Sequence, residues 1–198
     1  MSDPVPMRFF DPRWVGTWEQ EAWAAYYRRR WLKVLFASVG LVRCGFRMSW
    51  PRTLKGAYFA LKANQLWAPL DNDPDGARRY MERFYSLVAE AYGAEVDTAE
   101  AARLEVEWWR IHREAQHSDR PYGTDKHREL AQAIADLYAF VYECDLSEVM
   151  PAAQLRADAM AVSDRWVEEG CAPDSPLLRQ ERALLVRSYA RLLAAVHR

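Results

Sequence analysis

Every break in the apolar periodicity of this chain carries the chemistry of a helix end, and no stretch alternates at period two for long enough to make a strand. Trp50-Pro51 is biased away from helix at its first residue, and Pro51 can open the helix that follows, over roughly 52–67. Asp73-Pro74 pairs an N-cap acid with proline at the first helical position, and Gly93 fits the C-cap of that helix. Asp97-Thr98-Ala99-Glu100 caps the next helix. A loop over 117–125 precedes a helix over about 126–143, Pro151 begins another that ends at Gly170, and Ser175-Pro176 starts the last. Thr17-Trp18-Glu19-Gln20 has the capping-box form, so a long first helix is expected from there past Val42, bent or broken near Gly40. The punctuation predicts an all-α protein, a single compact bundle of six to seven helices over 1–198. Residues 1–16 are expected to form an extension, 17–67 basic Trp-rich helices and 73–198 an acidic helical body.

With 198 residues the chain can bury one full core. Its net charge of −1 hides a division. Residues 1–62 hold 11 Lys and Arg against 4 Asp and Glu, and the remainder holds 16 against 24. Six of the nine tryptophans also lie at or before Trp67. Such an arm can face an anionic apolar ligand, a membrane surface, a protein partner or the acidic remainder of its own chain. Arg28, Arg29, Arg30, Arg43 and Arg47 are the expected contacts to a ligand or partner. The uncharged apolar run from Val34 to Val42 is too short to span a bilayer, so no transmembrane segment is expected, and a homo-oligomer through the N-terminal helices is. Tyr26-Tyr27-Arg28-Arg29-Arg30-Trp31 could stack on and pair with a nucleic acid, but one short cluster in a slightly acidic chain argues against that partner. Three widely spaced cysteines and an N-terminus lacking a basic start and apolar run fit a cytoplasmic protein.

The richest stretch for chemistry is Leu104 to His117. At 100° per residue Ala101, Leu104, Trp108, Ile111 and Ala115 share a buried stripe, while Arg103, Glu107, Arg110, Arg113, Glu114 and His117 share the wet side. Glu114 and His117 make an E-x-x-H, but it lies on the wet face and has no second copy, as a di-iron bundle requires. Glu105 and His112 stack two turns apart beside Trp108 and Trp109, which are the expected walls for a flat cofactor. Glu181 falls in the apolar stripe of the last helix, where an isolated charge is costly, and His127 lines up with Leu130 and Ile134. If Glu105, His112, His127 and Glu181 met, two imidazoles and two carboxylates would suit a transition metal.

Asp71 to Glu82 fits the calcium-loop pattern, with Asp71, Asp73, Asp75 and Glu82 as its oxygens. The context argues against calcium. Pro69 falls where an entering helix should finish, Asp73-Pro74 already starts the next one and leaves little room for the loop, and Arg78 and Arg79 stand where packing and ligand groups belong. Walker, Rossmann, nucleophile-elbow and H-E-x-x-H motifs are missing from the sequence. Two readings remain. One is a non-enzymatic binding protein using its basic Trp-rich third. The other is a metal- or haem-dependent oxidoreductase with a Glu/His site inside the bundle.

Overall fold

The computed structural model describes residues 8–117 and 124–197, and of Thr124 the backbone alone. The described residues form eight α-helices: α1 (Pro12–Tyr27), α2 (Trp31–Phe46), α3 (Trp50–Trp67), α4 (Pro74–Tyr92), α5 (Thr98–Gln116), α6 (Thr124–Tyr142), α7 (Leu146–Glu168) and α8 (Pro176–Ala195). Each helix packs mainly on its chain neighbours, and α8 packs back on α1. The eight helices therefore close a ring. Local connections set almost all of the order, and the α1–α8 contact sets the closure.

The all-α class holds, but the expected count of six to seven is one short. The long first helix is two helices, and the break falls at Arg28–Arg30, well before Gly40. Arg29 takes a left-handed φ of 56°. Its N–H donates to Tyr26 O and that of Arg30 to Ala25 O, a Schellman closure in which arginine occupies the place glycine usually takes. Neighbouring groups hold it there. Arg29 Nη2 donates to Ala68 O at the end of α3, and its guanidinium lies over the Tyr26 and Trp31 rings. Arg28 donates twice to Cys171 O and lies 5.0 Å from the Trp166 ring centroid.

Other boundaries move for local reasons. Helix α1 starts at Pro12, inside the expected extension, because Asp11 accepts from Arg13 N and Pro12 suits the first helical position. Helix α7 starts at Leu146, so Pro151 sits inside it instead of opening it. The caps at Asp73, Asp97 and Ser175 and the left-handed Gly93 stand where the sequence puts them. The expected extension and the loop over 117–125 lie in part outside the described residues, at 1–7 and 118–123.

The core runs around the inside of the ring, from Val15 on α1 through Phe84, Trp108, Ile134 and Met160 to Leu192 on α8. Gly16 sets the closure distance. A Cβ added there would stand 2.7 Å from Val186 N and 3.0 Å from Leu185 C, both backbone atoms of α8. Gly16→Ala must push α1 off α8. It is expected to lower the unfolding free energy by about 1–3 kcal/mol in urea titration. A variant as stable as the wild type would show that the α1–α8 contact yields freely.

Helices α2 and α3 leave apolar side chains outside. Leu32, Phe36, Trp50, Leu54 and Tyr58 are all exposed. No described helix is long and apolar enough to cross a membrane.

Candidate functional site in the central cavity

A cavity of about 220 Å³ lies inside the ring, and side chains of all eight helices line it. Its walls are mostly aromatic and aliphatic, including Trp23, Phe46, Phe84 and Trp109. Into them are set three charged-type side chains, Glu19, Glu105 and Arg156. Glu19 and Arg156 are a buried ion pair from α1 and α7. Arg156 Nε donates to Glu19 Oε1 at 3.1 Å, and Nη2 donates to the same oxygen. The guanidinium also lies 4.7 Å from the Trp108 ring centroid and 5.8 Å from that of Tyr138, so its charge is screened by two π faces. Both nitrogens use Oε1, and Glu19 Oε2 makes no close hydrogen bond among the described residues, although the Tyr189 hydroxyl lies beside the carboxylate. Among the described residues Trp108 Nε1 has no partner, and the Tyr138 hydroxyl, beside the Arg156 guanidinium, donates to none.

Glu105 lies nearby. Tyr85 donates to its Oε2 at 2.8 Å and Trp109 Nε1 to its Oε1 at 3.1 Å. Burial raises its pKa above the usual carboxylate range, against the opposing pull of Arg156 and the two donors. The Tyr138 hydroxyl is pushed up to about 12, mainly by burial, and stays protonated. Two N–H or O–H donors and one carboxylate oxygen without close partners are thus buried in side chains that line the cavity, beside a cation whose charge is already matched.

A second cavity of about 230 Å³ adjoins the first and shares Trp23, Tyr26, Asn64, Trp108 and Trp109 as a wall. His112 lines it. His112 Nε2 is 2.9 Å from Asp164 Oδ2, and Gln116 Nε2 donates to Asp164 Oδ1 and to the Tyr27 hydroxyl. The sequence stacks Glu105 and His112 on one side of α5. The fold separates them, one in each cavity, with Trp108 and Trp109 between.

The other two expected metal ligands have neighbours of their own. His127 Nε2 is 2.8 Å from Asp158 Oδ1 and also meets Gln154. Glu181 is fully buried on α8, and neither of its oxygens has a hydrogen-bond partner among the described residues. Glu105, His112 and His127 therefore have three separate sets of partners, and Glu181 has no hydrogen-bond partner among the described residues. Among the described residues no three His, Cys, Asp or Glu side chains come together in a group that could hold a metal ion. In the calcium-like stretch Asp73 caps α4 by accepting from Gly76 N at 2.7 Å, Asp75 pairs with Arg78, and the chain from Pro74 to Glu82 is helix. Glu114 is engaged by Arg110 and Lys126, as expected of the wet face.

Of the five arginines expected to face a ligand or partner, three act within the protein. Arg28 and Arg29 tie down the α1–α2 corner, and Arg43 donates to Met48 O and lies over the Trp50 ring. Arg30 and Arg47 are exposed. Sequence reasoning missed Glu19 and Arg156, the pair at the centre of the cavity. Each left a local sign. Arg156 continues the buried stripe of Val149, Ala153 and Met160, and Glu19 lies four residues after Val15. Compared with family models, with curated proteins and with solved structures, the chain matches none of them.

Proposed function

We propose that this is a binding protein whose central cavity takes a small, mainly apolar, uncharged ligand carrying one hydroxyl-like group. The supporting observation is the set of hydrogen-bonding atoms without close partners, Trp108 Nε1, the Tyr138 hydroxyl and Glu19 Oε2, beside an otherwise aromatic cavity. Buried polar atoms of this kind normally have partners. A hydroxyl accepts from Trp108 or Tyr138 and donates to Glu19, so one group can satisfy both kinds of atom. An anionic head is disfavoured, since Glu19 already balances Arg156 and a further negative charge would be buried without a counter-charge. The site thus narrows the anionic apolar ligand suggested by the basic N-terminal third to a neutral one. An engineered apolar cavity of about 150 Å³ holds benzene, so the volume here suits a fused bicyclic body.

The test is titration calorimetry with 2-naphthol, and with naphthalene as the partner lacking the hydroxyl. Naphthol is expected to bind in the micromolar range and about tenfold tighter than naphthalene, the effect of roughly one hydrogen bond to a buried donor. Trp108→Phe keeps a ring in the wall and removes the N–H, so it should lower that preference. Ala22→Phe, directed into the cavity from α1, should weaken both ligands. Equal binding of the two compounds, or naphthol binding indifferent to Ala22→Phe, would overturn the proposal.

A further inference from the structure

From Ala22 to Leu70 the chain has no Asp or Glu and nine Lys or Arg: Arg28, Arg29, Arg30, Lys33, Arg43, Arg47, Arg52, Lys55 and Lys62. None of the nine forms an ion pair among the described residues, although ion pairs are frequent on α4, α5 and α6. The same segment carries the exposed apolar side chains of α2 and α3. Leu32 is 85% exposed and Phe36 69%, one turn apart on α2. Trp50, Leu54 and Tyr58 repeat at one-turn spacing on α3. Arg43 on α2 lies 5.2 Å from the Trp50 ring and α2 packs on α3, so the two rows stand on neighbouring helices, with Phe36 also edge-on to the Trp18 ring of α1. Arg30, Lys33, Arg47, Arg52 and Lys55 stand exposed around them.

We infer that the outer face of α2 and α3 docks on an anionic lipid bilayer, with Leu32, Phe36, Trp50, Leu54 and Tyr58 entering the headgroup region and the surrounding lysines and arginines meeting lipid phosphates and carboxylates. Apolar anchors ringed by cations of a single sign are what an anionic interface attracts. Tryptophan and tyrosine suit the depth where apolar and polar surroundings meet. A second copy is the poorer occupant. A two-fold contact through this face would press the unpaired cations of one protomer against those of the other. This inference stands independently of the central cavity.

The experiment is co-sedimentation of the full chain with vesicles of phosphatidylserine and phosphatidylcholine, against vesicles of phosphatidylcholine alone. Binding is expected to be at least tenfold stronger with phosphatidylserine and to fall steeply as salt rises. The double variant Leu32→Ser/Phe36→Ser should weaken it by roughly ten- to a hundredfold. Lys33→Gln and Lys55→Gln should weaken it roughly fivefold each. All four positions are exposed, and circular dichroism spectra like that of the wild type would show that folding is kept. Equal sedimentation with both vesicle types, or vesicle binding that ignores both sets of variants, overturns the inference. A dimer in analytical ultracentrifugation that the Leu32→Ser/Phe36→Ser variant dissolves, with no vesicle binding, also overturns it in favour of a protein contact.

Discussion

Glu181→Gln is expected to raise the unfolding free energy by up to about 3.5 kcal/mol at pH 7, and the gain should grow with pH. Glu181 sits fully buried on α8, with neither oxygen hydrogen-bonded among the described residues. Its pKa is pushed up to about 9, first by burial, then by the negative charges of Glu19 and Asp164. In the unfolded chain the same carboxyl titrates near 4.5. Below that value both states are protonated and the group has no effect on pH dependence. Between about 4.5 and 9 the unfolded chain has lost the proton and the folded protein has kept it. The folded state then binds more protons, so stability falls as pH rises. At pH 7 the interval is about 2.5 pH units, which at about 1.4 kcal/mol each gives the stated figure. Glutamine keeps the shape and cannot ionise in either state. Urea unfolding at pH 5, 7 and 8.5 checks it. Glu105, also raised by burial, adds a slope of the same sign, so the variant should flatten the profile without abolishing its slope. A difference between variant and wild type that stays constant across those pH values would sink the prediction.

What the sequence tells about this protein, and what it hides, divides along the distance over which each contact acts. Asp73, Asp97 and Ser175 cap their helices with side chains that reach two or three residues, so the residue type and the next few letters suffice to find them. The break at Arg29 is invisible in the same letters, because nothing local favours a left-handed arginine. The carbonyls of Ala68 and Cys171, which hold the corner, come from α3 and from the α7–α8 connection. The basic cluster around Arg28 therefore reads as a ligand surface although two of its members close the fold. The buried stripe of α5 is legible, and so is the oddity of Glu181 on α8. Which cavity a stripe residue enters is not. Glu105 and His112 lie on the same side of a helix, yet Tyr85 on α4 takes one and Asp164 on α7 takes the other. The pairing of Glu19 with Arg156 spans 137 residues and exists only because α8 closes the ring against α1.

That pair gives the second large expected effect. Arg156→Met should lower stability by about 3–5 kcal/mol, because it leaves the Glu19 carboxylate buried without its cation. Acid should partly rescue the variant, since a neutral Glu19 no longer needs a counter-charge. Glu19→Gln should be damaging for the converse reason, with no rescue by acid, as the guanidinium cannot be discharged. The double variant Glu19→Leu/Arg156→Met removes both charges and should return to within about 2 kcal/mol of the wild type, since apolar groups of similar size often replace a buried pair without loss. Urea unfolding of the four proteins makes a double-mutant cycle, and additive single losses would show that the two groups do not act as a pair. The same double variant separates stability from binding. Its cavity keeps the aromatic walls and Trp108 Nε1 but has no Glu19 Oε2 to accept from a hydroxyl. It should still take naphthalene while its preference for naphthol shrinks. If the preference survived intact in a stable double variant, the pair would be holding α1 to α7 and the ligand's hydroxyl would be read elsewhere. If it disappeared, the buried charges would be there for what they leave unsatisfied, which an all-apolar core of equal stability cannot offer.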